Sequence, residues 1–312
     1  MLTLYSYSQP APSIQYKDMV FSAVSVNRNL AYKNAADGKR SKYYLLDVYQ
    51  PNGDSSSLRP LIIWIHGGGF KFGNKKSRGI PLWSKGFAQR GYVCAAVNYR
   101  LSKKNTLSDY AALVNACSDA VEDINDAVIF LKQNHKQYRI DTTKIVFAGN
   151  SAGGIIALQS VYSSALERKR LANPADSATA ETTYNPAGIA AVVNLWGGLF
   201  DSTWLRNANV PIVSVHGSDD KIVPFNRTGN GGIYGSLIIH RNADSLHINN
   251  SLKIFEGFSH ELQKNFNPLW VGGKTKERWR EGGQFAADFL YGVIFKGTAC
   301  PQKKIEPLIP HQ

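Results

Sequence analysis

Lys144-Ile145-Val146-Phe147-Ala148-Gly149-Asn150-Ser151-Ala152-Gly153-Gly154-Ile155-Ile156-Ala157-Leu158-Gln159-Ser160-Val161 reads as a buried strand, a sharp turn and an apolar helix. The turn carries Gly-x-Ser-x-Gly at Gly149, Ser151 and Gly153. In a strand–turn–helix context this pattern lifts the serine to the tip of a strained elbow with its hydroxyl exposed, while small neighbours let strand and helix pack closely. An ordinary Gly-rich turn with an N-cap serine is the competing reading.

Two outlying segments decide between them. Upstream, the apolar run Leu61-Ile62-Ile63-Trp64-Ile65 ends in His66-Gly67-Gly68-Gly69-Phe70. Acyl transfer puts negative charge on a carbonyl oxygen, and backbone N–H groups aimed at that point stabilise it. A glycine run brings the backbone near enough, so Gly68 and Gly69, with Ala152 after the serine, are the expected donors. His66 reads as a brace for this loop. Downstream, Val210-Pro211-Ile212-Val213-Ser214-Val215 leads into His216-Gly217-Ser218-Asp219-Asp220-Lys221-Ile222-Val223-Pro224, and Ser251-Leu252-Lys253-Ile254-Phe255 leads into Glu256-Gly257-Phe258-Ser259-His260. Serine, then an acid, then a histidine, each in a strand-end loop, is the chain order of an α/β-hydrolase triad.

On these residues the chain resembles the α/β-hydrolase superfamily over roughly residues 40–295, specifically serine carboxylesterases with an HGGG oxyanion loop. His66–Phe70 and Gly149–Gly154 look like the hormone-sensitive-lipase type, although Asn150 stands where many of that type carry Asp. His216–Pro224 looks like the HGxxDxxVP loop of bacterial feruloyl and acetylxylan esterase-like proteins. That likeness selects Asp220 over Asp219 as the acid. It implies a catalytic set of Ser151, Asp220 and His260, and a carboxylesterase with no cofactor and no metal. Phe70, Asn150 and Trp196 are the candidates for a substrate pocket, with Trp204 read as core packing. The expected substrate is a small or polymer-linked ester: short-chain or aromatic acyl, or glycan-borne acetyl or feruloyl groups. A serine exopeptidase and a non-catalytic binding protein on the same fold are the alternatives.

Apolar runs alternate with helical ones, which predicts an α/β fold with a mostly parallel sheet of about eight strands and helices on both faces. Strands are expected near 20–26, 43–49, 61–65, 92–97, 144–148, 189–195, 211–215 and 252–256, and helices near 80–90, 107–136, 151–166, 234–246 and 277–294. Residues 1–312 read as a single domain, with a tail at 296–312. Residues 167–187 read as a surface insertion of lid character, and 261–276 follow the candidate base; neither is long enough for a separate cap, so an open site is expected.

The composition is globular, at 43% hydrophobic, and no apolar run reaches the length of a membrane span. A formal charge of +13 could favour anionic partners, but the basic residues are dispersed and no aromatic–basic nucleic-acid motif is present. The excess reads as solvated surface. Of the three cysteines, Cys94 falls in a buried strand and Cys117 on the apolar stripe Leu113, Cys117, Ala120, Ile124, Ala127, Leu131. A Cys117–Cys300 disulfide requires the tail to dock, and free thiols are the preferred reading. Among the seven histidines, His216 reads as packed, while His135, His240, His247 and His311 read as surface or helix residues. The start of the 1–19 segment, Leu2-Thr3-Leu4-Tyr5-Ser6-Tyr7-Ser8-Gln9, reads as the remnant of a clipped export signal. It predicts a periplasmic or extracellular protein, with a frayed cytosolic start as the alternative.

Overall fold

The computed structural model describes residues 13–175, 188–226 and 232–297. Eight strands form one sheet: β1 (Val24–Ala31), β2 (Leu45–Pro51), β3 (Arg59–Ile65), β4 (Val93–Val97), β5 (Ile140–Asn150), β6 (Ile189–Leu195), β7 (Ile212–Gly217) and β8 (Asn250–Phe255). The order is β1-β2-β4-β3-β5-β6-β7-β8; β1–β2 and β2–β4 pair antiparallel, and every pair from β4–β3 onward is parallel. The helices are α1 (Gly79–Ala88), α2 (Tyr110–Gln133), α3 (His135–Tyr138), α4 (Ala152–Tyr162), α5 (Ala165–Ala172), α6 (Ser236–Ser245) and α7 (Gly273–Tyr291). This is the α/β-hydrolase architecture.

Period-two alternation divides the core between the two sheet faces. Leu61, Ile63, Ile65, Val93, Ala95, Ile145 and Phe147 face α2, α4 and α6, together with Val114, Ile124, Ile156 and Ile239. Ile62, Trp64, Cys94, Ala96, Val146 and Ala148 face α1 and α7, meeting Trp83, Phe87, Trp279 and Phe289. A sheet buried on both faces needs the near-continuous apolar runs seen in the sequence. Each large side chain removed from water contributes about 1.5–3 kcal/mol.

Some expectations shift. The first strand runs over 24–31, not 20–26. The apolar run Met19-Val20-Phe21 misleads: Val20 and Phe21 donate to Gln89 O, and pairing of Val24 with Pro51 sets the strand register. Residues 14–19 pack against the domain, while Leu2–Gln9 lie outside the described residues. Tyr16 donates to Arg90 O and stacks on Phe295 at 4.3 Å. The helix expected over 151–166 breaks at Ser163, and α5 restarts behind a Ser164/Glu167 capping box. The start of the expected insertion is therefore helical, while residues 176–187 lie outside the described residues, as do Cys300 and His311. Cys94 and Cys117 are buried thiols. No helix of the described residues is long and apolar enough to cross a membrane.

Candidate active site

The C-terminal ends of β3 to β8 share one sheet edge, so the loops that follow them converge there. Ser151 stands between β5 and α4 with φ 54° and ψ −123°, a conformation disfavoured for a residue with a side chain. Packing enforces it. A Cβ on Gly149 would lie 2.4 Å from the Gly153 carbonyl, and one on Gly153 would lie 2.0 Å from Ile65 O. Only glycine at both positions lets α4 sit this close to β3 and β5.

The histidine and the acid arrive from the last two strand-end loops. His260 Nε2 lies 2.9 Å from Ser151 Oγ, and His260 Nδ1 lies 2.7 Å from Asp220 Oδ2. Asp220 Oδ1 accepts the Ile222 and Val223 N–H groups at 2.9 and 3.0 Å, which locks the carboxylate. Burial works to raise the Asp220 pKa, but hydrogen bonds and attraction from His216 and His260 outweigh it and hold the carboxyl well below the usual range. Asp219 is exposed and accepts only the Ser218 hydroxyl, so the geometry selects Asp220. An ionised Asp220 requires Nδ1–H on His260. That leaves Nε2 free to take the Ser151 proton.

The histidine loop is braced from outside. Glu261 and Leu262 have φ near +56° and +58°. Arg78 Nη1 pairs with Glu261 Oε2 at 2.7 Å, Trp279 Nε1 donates to Glu261 O at 2.7 Å, and Phe266 meets the His260 ring edge-on at 5.1 Å. Arg78 and Trp279 were not legible in the sequence, because both reach the loop from distant segments.

The glycine loop lies beside the serine. Gly68 has φ 118°, and a Cβ there would meet Phe72 O at 2.2 Å. Gly68, Gly69 and Ala152 each keep a backbone N–H with no acceptor among the described residues, Ala152 because it opens α4. Asn150 Oδ1 accepts Gly67 N–H at 3.2 Å and ties the elbow to this loop. Further along, buried Lys75 pairs with buried Asp47 at 2.6 Å. His66 stacks on Tyr99 at 4.3 Å and sets Nδ1 against Gly67 O. Burial pushes its pKa down to about 4, so it stays a neutral brace. A groove of about 340 Å³ on the far side of the loop is lined by Lys42, Lys75, Asn98 and Tyr99 among others, and excludes the serine and His260.

Two expected pocket residues sit elsewhere. Phe70 and Trp196 are each 1% exposed. Phe70 packs in the core under its loop. Trp196, at φ 43°, turns its indole onto Trp83 and Trp279 at 5.8 and 6.1 Å. A strand-end tryptophan can face the cleft or a neighbouring helix, and the left-handed turn decides for the helix side. Trp204 is buried, as expected. His240 is a helix residue but not a surface one: it is buried against Asn250. Exposed apolar side chains on the same edge are instead Phe72, Leu107, Ile222, Leu269 and Trp270.

The BD-FAE family profile matches residues 46–203, a segment that holds the glycine loop and the serine but ends before Asp220 and His260. The probable carboxylic ester hydrolase LipM of Mycobacterium tuberculosis is 33% identical over 110 residues, covering 35% of this chain and 23% of that protein. Gut esterase 1 of Caenorhabditis elegans is 31% identical over 108 residues, covering 35% of this chain and 19% of its own length. The chain thus spans about a fifth to a quarter of these curated relatives. Among solved structures, the esterase Est2 of Thermogutta terrifontis aligns with a TM-score of 0.57 at 20% identity, over 93% of this chain and 98% of that one. Esterase B of Lactobacillus rhamnosis aligns at 0.55 and 17%, over 88% of each chain. At these identities the likeness is one of fold.

Proposed function

The chain belongs to the BD-FAE family, and from that premise we propose that it is a serine carboxylic ester hydrolase working through an acyl-enzyme on Ser151. One observation carries the reading: an unbroken hydrogen-bonded line from Ser151 Oγ through His260 to a fully paired Asp220, at 2.9 and 2.7 Å. The esterase names of the sequence relatives support it.

Ser151 Oγ attacks the ester carbonyl carbon as its proton passes to His260 Nε2. Asp220 fixes the tautomer and stabilises the imidazolium. The carbonyl oxygen, now negative, takes N–H donors from Gly68, Gly69 and Ala152. The C–O bond to the alcohol breaks, and the alcohol leaves with the proton from His260. Water then attacks the acyl carbon by the same route, releasing the acid and restoring Ser151.

The substrate class is an ester with a short or aromatic acyl group, carried on a small molecule, a glycan or an aromatic polymer. The exposed rim of Phe72, Leu107, Ile222, Leu269 and Trp270 favours an apolar group resting at an open mouth. Hydrolysis of chromogenic acetyl, butyryl, octanoyl and feruloyl esters, with Ser151→Ala alongside, tests both statements. Activity that disappears in the variant and declines from butyryl to octanoyl is expected. Activity unchanged in Ser151→Ala, or seen on aminoacyl amides alone, would overturn the reading.

A further inference from the structure

The hydrogen bonds of Asp220 do not end at the triad. His216, at the end of β7, is fully buried. Its Nε2 lies 2.9 Å from Val223 O and 3.3 Å from Asp220 Oδ2. Both neighbours are acceptors, so Nε2 must carry a proton. Its Nδ1 lies 2.7 Å from Ser236 Oγ. With the ring proton on Nε2, Nδ1 is the acceptor and the Ser236 hydroxyl donates to it, while Ser236 Oγ accepts from Asn194 Nδ2 at 3.1 Å. The hydrogen bonds thus assign the Nε2–H tautomer to His216. Asn194 Nδ2 also reaches Ser214 Oγ at 3.1 Å, and Asn194 Oδ1 accepts Gly197 N–H at 2.9 Å. That same Oδ1 stands 2.7 Å from where a Cβ on Gly154 would be, at the start of α4. The polar chain therefore runs from Asp220 through His216 and Ser236 to Asn194, which packs against the first turn of α4.

We propose that His216 is a positioning residue for the acid of the triad. Its Nε2–H is shared between Val223 O at 2.9 Å and the more distant Asp220 Oδ2 at 3.3 Å, and keeps the 216–223 loop closed so that the carboxylate faces His260. The proposal rests on the ester-hydrolase reading above. It accounts for a buried histidine that the triad itself does not use, and for a serine and an asparagine buried behind it.

Removal of this donor has a defined sign. The Nε2–H shares the charge of Asp220. Without it the carboxylate is more basic and holds protonated His260 more tightly, so the acidic limb of the rate profile moves to higher pH. The other ionisable groups around the ring are Asp220 on the same loop, His260 beyond it and His240 on α6. Burial pushes the His240 pKa down to about 4, so it does not titrate within the assay range.

The test uses the full chain with a fluorophosphonate ester that labels the reactive serine, read as labelling rate against pH, with ester turnover in parallel. Two variants separate the two ring nitrogens. His216→Gln can place an N–H near the Nε2 position. His216→Asn reaches only the Nδ1 side and leaves Asp220 without the donor. His216→Asn is expected to lower the labelling rate and kcat about 10- to 100-fold, with KM little changed and the acidic limb raised by about half a unit or more. His216→Gln is expected to recover most of the rate and return the limb toward the native position. Equal losses in both variants with an unmoved limb, or near-native rates in His216→Asn, would overturn the proposal. Nitrogen-15 NMR of labelled histidines in the unmodified protein is an independent check, usable even if a variant fails to fold. An Nε2–H tautomer for His216 supports the proposal, and an Nδ1–H tautomer overturns it. Failure of the unmodified protein to label at all would instead count against the ester-hydrolase reading.

Discussion

Asp220→Asn is the substitution with the most closely determined consequence. Asn retains an oxygen that can accept the Ile222 and Val223 N–H groups, as Oδ1 does at 2.9 and 3.0 Å, so the loop keeps its shape. The other oxygen becomes an NH2 group facing two N–H donors, His260 Nδ1 at 2.7 Å and His216 Nε2 at 3.3 Å. Donor then meets donor. His260 relieves this by moving its proton to Nε2, the nitrogen that must accept from Ser151 at 2.9 Å. The proposed base is lost while Ser151 and the N–H groups of Gly68, Gly69 and Ala152 remain. A wrong tautomer of this kind costs about 10⁴ in kcat, or roughly 5 kcal/mol at 1.36 kcal/mol per decade. Asp219→Asn is the control: Asp219 is exposed and accepts only the Ser218 hydroxyl at 3.0 Å, so its rate is expected to stay within about threefold. The assay is kcat/KM on a chromogenic acetyl ester, corrected for the active fraction by phosphonate titration. A greater loss in Asp219→Asn than in Asp220→Asn, or Asp220→Asn within tenfold of native, would refute the reasoning.

Other outcomes follow from the same geometry. Gly153→Ala puts a Cβ 2.0 Å from Ile65 O and is expected to cost about 1–3 kcal/mol or more in urea unfolding; native stability would contradict the close packing of the elbow. Lys75→Met leaves the buried Asp47 carboxylate with only the Asn29 N–H and Arg28 at 3.8 Å and is expected to cost about 3 kcal/mol, read in the same way, and an unchanged midpoint would contradict the pairing at 2.6 Å. Burial pushes His66 and His240 down to about 4 from 6.5, so between those values the unfolded chain binds protons that the folded one does not. Stability is therefore expected to fall as pH drops from about 6.5 toward 4, by up to roughly 3 kcal/mol per histidine. A melting temperature flat between pH 7 and pH 5 would contradict that. Trp279→Phe removes the Nε1 donor to Glu261 O and is expected to reduce kcat several-fold while the fold survives; an unaltered kcat would show that the brace is dispensable.

The sheet was legible because its inner strands are buried on both faces and must be almost wholly apolar. All eight appear in the expected segments, and only β1 is displaced. As an edge strand it alternates weakly, and an apolar run beside it drew the expectation away. That Ser151, Asp220 and His260 come together was legible because each sits in a short loop after an apolar strand, where few polar residues compete. Phe70 and Trp196 were misplaced for a different reason. Residue type and position at a strand end say nothing about which side the ring takes, and positive φ at both positions turned them inward. The ion pair of Arg78 with Glu261 joins residues far apart in sequence and leaves no local pattern to read.

The central claim is that Ser151 forms the acyl-enzyme. The most direct test is mass spectrometry of the intact protein after mixing with a slow-turnover carbamate or phosphonate ester, followed by peptide mapping. The account predicts one adduct per chain, carried by the peptide containing Gly149-Asn150-Ser151-Ala152-Gly153 and absent in Ser151→Ala. An adduct on another residue, or one that persists in Ser151→Ala, would contradict it.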